Sequence, residues 1–279
     1  GWLNVAQGRD SNVSGQALLT SGLTAYYSDD QIIYFDLADG NIAQAKLRLR
    51  NFRGYDEPHG RFLAGHAMGE FSRGGDAEFA SALGRQIGLD VGNYATSRVT
   101  AELGLAMLFT RLGLALDEQR QPQKGLLFAR IATWLAPSSD AAKLGLAELM
   151  DRQDLDGKAS ALLKGIAPNS PFWVQAVVNQ TQLVATPEEA VAIARTASEA
   201  QPASSQLKLL YAQSLEQADR RDLAVTVYRS LLDQDAGRSN GARRAEYLQI
   251  LATDLNASGD WNSARNALED AAVLDPKNP

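Results

Sequence analysis

From Ala101 to Pro279 the apolar positions keep helical spacing, and the helices they predict come in pairs. Val174, Val177, Val178 and Leu183 line one helix over 172–184. Ala185 and Thr186 interrupt it, and Thr186-Pro187-Glu188-Glu189 starts a second. There Thr186 is placed to cap, Pro187 suits the first helical position and Glu189 completes a capping box. Ala190, Ala194 and Ala197 share one face of this second helix and are small enough to let a partner helix approach closely; Pro202 stops the pair. The last pair reads the same way. Leu248, Leu251, Ala252 and Leu255 line its first helix, Ser258-Gly259-Asp260 turns the chain, Ala264, Leu268 and Ala271 line the second, and Leu274-Asp275-Pro276 ends it.

A small residue returns in one setting at Gly125, Ala159, Ala190, Ala224 and Ala264, in steps of 34, 31, 34 and 40. The short step predicts a helix before Pro168 that lacks a turn, and the long step places an inserted loop at 235–241. The N-terminal third is less regular. Residues 1–12 are polar and predicted to be loosely ordered, and Ser14 to Tyr27 is helix-compatible, with Leu18, Leu19, Leu23 and Tyr26 on a face. Gln31-Ile32-Ile33-Tyr34-Phe35 has strand propensity but no partner strand nearby, so a helix over 31–37 is expected, followed by one over 40–52. Pro58 to Phe71, with Leu63, Ala64 and Ala67 inward, turns at Gly74-Gly75-Asp76 into a helix over 77–88. Residues 89–97 read as an irregular connection or a helix extension, and a long apolar helix runs from Val99 to Leu116. The expected divisions are an atypical capping segment over 1–57, a divergent hairpin and connection over 58–98, and the regular array over 99–279.

The run from Ala257-Ser258-Gly259-Asp260-Trp261 to Ala271-Ala272-Val273-Leu274-Asp275-Pro276 resembles the tetratricopeptide (TPR) repeat, a helix–turn–helix unit of about 34 residues. Leu112-Gly113 with Gly125, Ala129, Ala132 and Pro137 fits its pattern, as does Tyr211-Ala212 with Ala224, Tyr228 and Leu231. The large aromatic expected early in each first helix is present only as Phe109. The resemblance implies an all-α fold, a right-handed superhelical solenoid of antiparallel helix pairs, whose first helices line a concave groove. In that register the outward positions are Met107, Thr110, Leu114, Asp117 and Glu118, then Ala141, Leu144, Glu148, Asp151 and Arg152. The next unit gives Phe172, Gln175, Asn179, Gln182 and Leu183; then come Gln206, Leu209, Gln213, Glu216 and Gln217, and finally Glu246, Gln249, Thr253, Asn256 and Ala257. The later sets are rich in amides, each of which offers both a donor and an acceptor to an extended main chain. The candidate partner-binding groove is therefore Gln175, Asn179, Gln182, Gln206, Gln213, Gln217, Gln249 and Asn256. The family's clamp for acidic C-terminal peptides uses several Lys, Arg and Asn residues; here only Arg152 and the two Asn positions answer to it, so that specificity does not carry over.

Chemistry beyond binding finds little footing. The chain has no cysteine, which excludes disulfides, thiolate zinc sites and cysteine catalysis. Its two histidines, His59 and His66, are seven apart on one helix face, about 10 Å of rise, too far to share a metal ion. No phosphate-binding glycine loop and no G-x-S-x-G motif is present. Asp154/Asp156 and Asp219/Asp222 fall at predicted hairpin turns, where capping accounts for them. A net charge of −6 argues against nucleic acid as the main partner, and Lys46-Leu47-Arg48-Leu49-Arg50 reads as a solvated or salt-bridged helix face. No apolar run reaches the roughly 18 residues of a membrane span.

The expected function is a non-enzymatic scaffold that needs no cofactor and binds a partner protein or peptide. Self-association through the ends of the array is a further partner mode. The rival is a regulatory or recruiting module of a larger bacterial envelope, polysaccharide-export or transferase protein. The chain starts at Gly1, which leaves room for a targeting segment ahead of it; a periplasmic or envelope site and a cytoplasmic one both stay open.

Overall fold

The computed structural model describes residue 2 and residues 25–88, 96, 98–234 and 241–276. Among these the secondary structure is helical throughout, in fourteen helices arranged as antiparallel pairs. In order they are α1 (Ala25–Ala38), α2 (Ile42–Asn51), α3 (Pro58–Arg73), α4 (Ala77–Gln86), α5 (Ala101–Glu118), α6 (Pro122–Leu135), α7 (Asp140–Asp151), α8 (Asp156–Lys164), α9 (Trp173–Gln182), α10 (Pro187–Ala200), α11 (Ser205–Gln217), α12 (Arg221–Gln234), α13 (Gly241–Ala257) and α14 (Trp261–Leu274). The expected helix at Ser14 and the loop at 235–240 lie outside the described residues, as does most of 89–97. The chain forms two compact units, Gly1–Ala176 and Val177–Pro279.

One backbone device makes most of the hairpins. A left-handed residue stands at Gly40, Gly75, Arg120, Asp154, Asp219 and Gly259, with φ between 56° and 86°. In each case the next amide bonds the carbonyl five residues back: Asn41 to Asp36, Asp76 to Phe71, Gln121 to Leu116, Leu155 to Met150, Arg220 to Leu215 and Asp260 to Leu255, all at 2.7–2.9 Å. This is the Schellman ending, which satisfies the last carbonyls of one helix while reversing the chain into the next. Asp154 and Asp219 thus terminate helices by their backbone rather than capping by their side chains. Asp156 and Asp222 lie in first helical turns, where the helix dipole favours a negative charge.

Helix starts follow their sequence signals. Thr100, Ser139, Thr186 and Ser204 each accept a hydrogen bond from the amide three residues on, and Pro58, Pro122 and Pro187 open α3, α6 and α10. Side-chain caps of this kind contribute about 1 kcal/mol each. The short 31-residue step has its cause in α8, which has 9 residues where α6, α10, α12 and α14 have 14.

In the first unit the middle of α3, Phe62 to Gly69, is buried on all sides. Gly65 is the contact that permits this: a Cβ there would lie 2.6 Å from the Phe172 ring. Helices α1 and α3 also pack against α5. That packing corrects the register-based expectation for this unit. Met107, Thr110, Leu114, Ala141 and Leu144, read as outward, are buried. For Met107 and Leu114 the neighbours are Asp30, Tyr34, His59 and Phe62 from α1 and α3, which gather beside them and Arg111. The N-terminal residues are also not all loose, since Trp2 donates to Gln31 Oε1 at 3.0 Å and sits 4.3 Å from the Phe35 ring.

In the second unit α11 pairs with α12 and α13 with α14, while α10 packs on α11. The core joins Ala212 and Leu215, Ala224, Tyr228 and Leu231, Leu248, Leu251 and Leu255, and Ala264, Ala267 and Ala271. The returning small residues Ala224 and Ala264 are buried here, and Ala190 is buried on α10.

Candidate functional site

The amide positions divide between the two units. Gln175 lies on α9 in the first, while Asn179 and Gln182 of α9 lie in the second with Gln206, Gln213 and Gln217 of α11 and Gln249 and Asn256 of α13. Gln175, Gln182, Gln206, Gln213, Gln217 and Asn256 are exposed, and Asn179 and Gln249 are half-buried. On α11 the three glutamines are spaced 7 and 4 apart, which keeps them on one stripe of the helix. The same helix sends Leu207, Ala212 and Leu215 into the core. Apolar anchoring of one face therefore holds the amide stripe toward solvent. Asn179, Gln175 and Gln249 each engage further groups of the protein.

Beside that stripe the second unit holds two carboxyl groups. Glu216 on α11 is half-buried, while Asp254 on α13 is 3% exposed, set among Leu251, Ala252 and Leu255. The two carboxyls lie within hydrogen-bonding range of each other. Burial, followed by the nearby Asp254, pushes the Glu216 carboxyl up to about 7; Arg221 opposes this weakly. Asp254 Oδ2 accepts no hydrogen bond from the described residues. The Tyr228 hydroxyl, wholly buried on α12, lies beside the Glu216 carboxyl, and burial pushes its ionisation up.

Glu216 belongs to the outward register read from the sequence; Asp254 does not, and it was missed. The available signal was an aspartate at a core position of an otherwise apolar helix stripe.

The first unit has its own buried polar groups, and they are paired. Asp30 and Arg111 form an ion pair, both largely buried. Tyr34 and His66 Nδ1 are hydrogen-bonded at 3.0 Å, and burial lowers His66 to about 4. His59 is likewise lowered to about 4, by burial and then by Arg111. A cavity of about 290 Å³ opens among His66, Thr96, Ser138, Asp140, Asn169, Ser170 and Phe172. Its Asp140 is paired with Lys143 at 2.9 Å. Arg152 bonds Asp117 and Glu148 at 2.8 and 2.6 Å, so the one cation read into the early groove is held in ion pairs. The basic run on α2 is engaged in the same manner: Lys46 with Asp76, Arg48 with Asp36, and Arg50 over the Phe79 ring. Among the described residues no three His, Asp or Glu side chains gather to hold a metal ion, and no helix is long and apolar enough to cross a membrane.

No family model matches the chain, and no curated protein matches it. Several solved structures do. MamA (41-end) from Desulfovibrio magneticus RS-1 is 11% identical over 62% of this chain and 96% of its own, with a TM-score of 0.46. YrrB, described as a TPR protein with an unusual peptide-binding site, is 16% identical over 62% of this chain and 88% of its own, with a TM-score of 0.41. TTC0263, described as a thermophilic TPR protein in Thermus thermophilus, is 18% identical over 62% of this chain and 93% of its own, with a TM-score of 0.39. The paired helices, the returning small residues and the recurring left-handed turns give this chain a TPR-like, all-α helical-repeat fold.

Proposed function

We propose that the chain is a non-enzymatic binding scaffold, and that its second unit holds an extended segment of a partner protein against the amide face of α9, α11 and α13. The observation that carries this reading is the stripe of exposed Gln206, Gln213 and Gln217, held outward by a helix whose other face is fixed in the core. Amides pair with a peptide main chain in either direction and demand no charge. Helical-repeat folds of this kind generally serve protein–protein interaction through extended faces. Changing Gln206, Gln213 and Gln217 together to Ala keeps helix propensity high while removing every donor and acceptor of the stripe. With a partner captured by the wild-type protein from cell and membrane extracts, the triple variant is expected to bind at least about tenfold more weakly at unchanged helix content. Equal binding would remove the face assignment.

A further inference from the structure

We propose that the cavity of about 290 Å³ in the first unit binds a small, neutral, polyhydroxylated ligand with the size and chemistry of one pyranose sugar. The site shares no residue with the amide face and does not rest on that reading.

Three elements build the cavity. Helix α3 supplies His66, the start of α7 supplies Ser138 and Asp140, and the connection from α8 to α9 supplies Asn169, Ser170 and Phe172. The fold holds each of them in place. Tyr34 is bonded to His66 Nδ1 at 3.0 Å. Ser139, between the two α7 residues, caps the helix by accepting from the Ala142 amide at 3.2 Å. Ser170 Oγ accepts from the Phe172 amide at 3.3 Å, and the Phe172 ring lies against Gly65 and 5.3 Å from the His66 ring. Burial is graded across the lining. His66 is 1% exposed, Ser170 3% and Phe172 6%, Asp140 is half-buried, and Ser138 and Asn169 are exposed. Two polar side chains sealed in the unit thus border an open space, with an apolar ring beside them and polar groups at the rim. Preformed concave sites with a few placed polar groups are how small ligands are held.

The lining sets the class of ligand. Burial lowers His66 to about 4, so its ring is neutral at pH 7. With Nδ1 engaged by Tyr34, Nε2 is the nitrogen left to a ligand, as donor or acceptor according to tautomer. Ser138, Asn169 and Ser170 each carry both a donor and an acceptor. Among the described residues of the lining Asp140 is the one charged group, and its Oδ1 is paired with Lys143 at 2.9 Å. No described lysine or arginine borders the cavity, so an anion meets no counter-charge, and a cation must compete with Lys143. An apolar ligand would take water from these polar groups and return no hydrogen bond. A hydroxylated ring replaces that water with its own donors and acceptors and offers a C–H surface to Phe172. The volume is near the lower end for small-molecule sites, roughly 300 Å³, which limits the ligand to about one ring.

The test titrates the methyl glycosides of glucose, mannose and galactose into the full chain at about pH 7 and follows the imidazole signals by NMR. The chain has two histidines, and His59→Gln identifies the signals of His66. Both rings are neutral at that pH, and His59, which does not line the cavity, is the internal reference. The expected result is a saturable shift at His66 with at least one glycoside, half complete at ~1 mM, while His59 stays unmoved. Binding should weaken about fivefold or more in Asn169→Ala and in Asp140→Asn. Asn169 is exposed and outside any helix, so its variant leaves the core intact. Inorganic sulfate and methylammonium, titrated in parallel, should leave His66 unmoved. The proposal is overturned by no saturable shift with any of the three glycosides, by equal shifts at both histidines, or by a saturable shift with sulfate or methylammonium in place of the glycosides. A saturable His66 shift that neither variant weakens would also overturn it, because the ligand would then lie outside this lining. Should Asp140→Asn fail to fold, Asn169→Ala and the wild-type titrations still decide the matter.

Discussion

Replacing Glu216 with Gln tests the carboxyl pair through stability alone. The Glu216 carboxyl moves from an ordinary 4.5 to about 7 in the folded chain. Between those values the native state binds more protons than the unfolded state, so the slope of unfolding free energy against pH is negative. The stabilisation is complete below about 4.5 and is lost as pH rises through about 7. A rise of that size corresponds to at most ~3.4 kcal/mol at ~1.36 kcal/mol per pH unit. Because the carboxyl is partly open to water, screening reduces it to roughly 1 kcal/mol. Other groups titrate in the same range. Burial lowers His59 and His66, which gives them the opposite sign: their stabilisation is present above about 6.5 and lost as pH falls toward 4. The informative quantity is therefore the wild-type minus Glu216→Gln difference, measured by urea unfolding at several pH values with a probe in the second unit. That difference should fall by about 1 kcal/mol between pH 5 and pH 8. A difference that is flat, or that rises with pH, would refute the raised Glu216 carboxyl.

Further expectations follow from the packing of each unit. Arg111→Met leaves Asp30 buried without its partner and should cost about 3–5 kcal/mol in chemical denaturation, while the double variant Asp30→Leu/Arg111→Met should recover much of that loss. At the helix turns, Arg120→Gly should raise the melting temperature, because a left-handed backbone costs a residue with a Cβ about 1–2 kcal/mol, only partly offset by the extra freedom of unfolded glycine. Gly259→Ala at the equivalent turn should lower stability by about 1 kcal/mol, and both are read by thermal unfolding.

Helix pairing was legible in the sequence because it rests on local signals. Thr186 and Pro187 announce a helix start, Gly75 and Gly259 announce turns, and the short step to Ala190 announced the nine-residue α8. The face of α5 was not legible. Met107 and Leu114 are outward by repeat register, and the long-range placement of α1 and α3 sets residues against them. Sequence spacing within α5 carries no information about what packs upon it. Left-handed Arg120, Asp154 and Asp219 were hidden for a related reason: the turn geometry favours glycine, and other residues occupy it only where the surrounding helices impose it. In the candidate site, the amides of α11 were readable because the apolar residues Leu207, Ala212 and Leu215 fix which side faces water. Asp254 was not, because a core stripe interrupted by one acid has no local explanation until Glu216 and Tyr228 are placed beside it.

The most direct test of the binding role compares two surfaces of the second unit against one peptide from a captured partner. One variant changes Gln206, Gln213 and Gln217 to Ala on α11; the other changes Thr226, Arg229 and Ser230, exposed on α12, to Ala. Fluorescence anisotropy should show a loss of about tenfold or more for the α11 variant and an affinity within about twofold of wild type for the α12 variant. A loss confined to the α12 variant, or none in either, would contradict the assignment of the amide face as the surface by which this protein works.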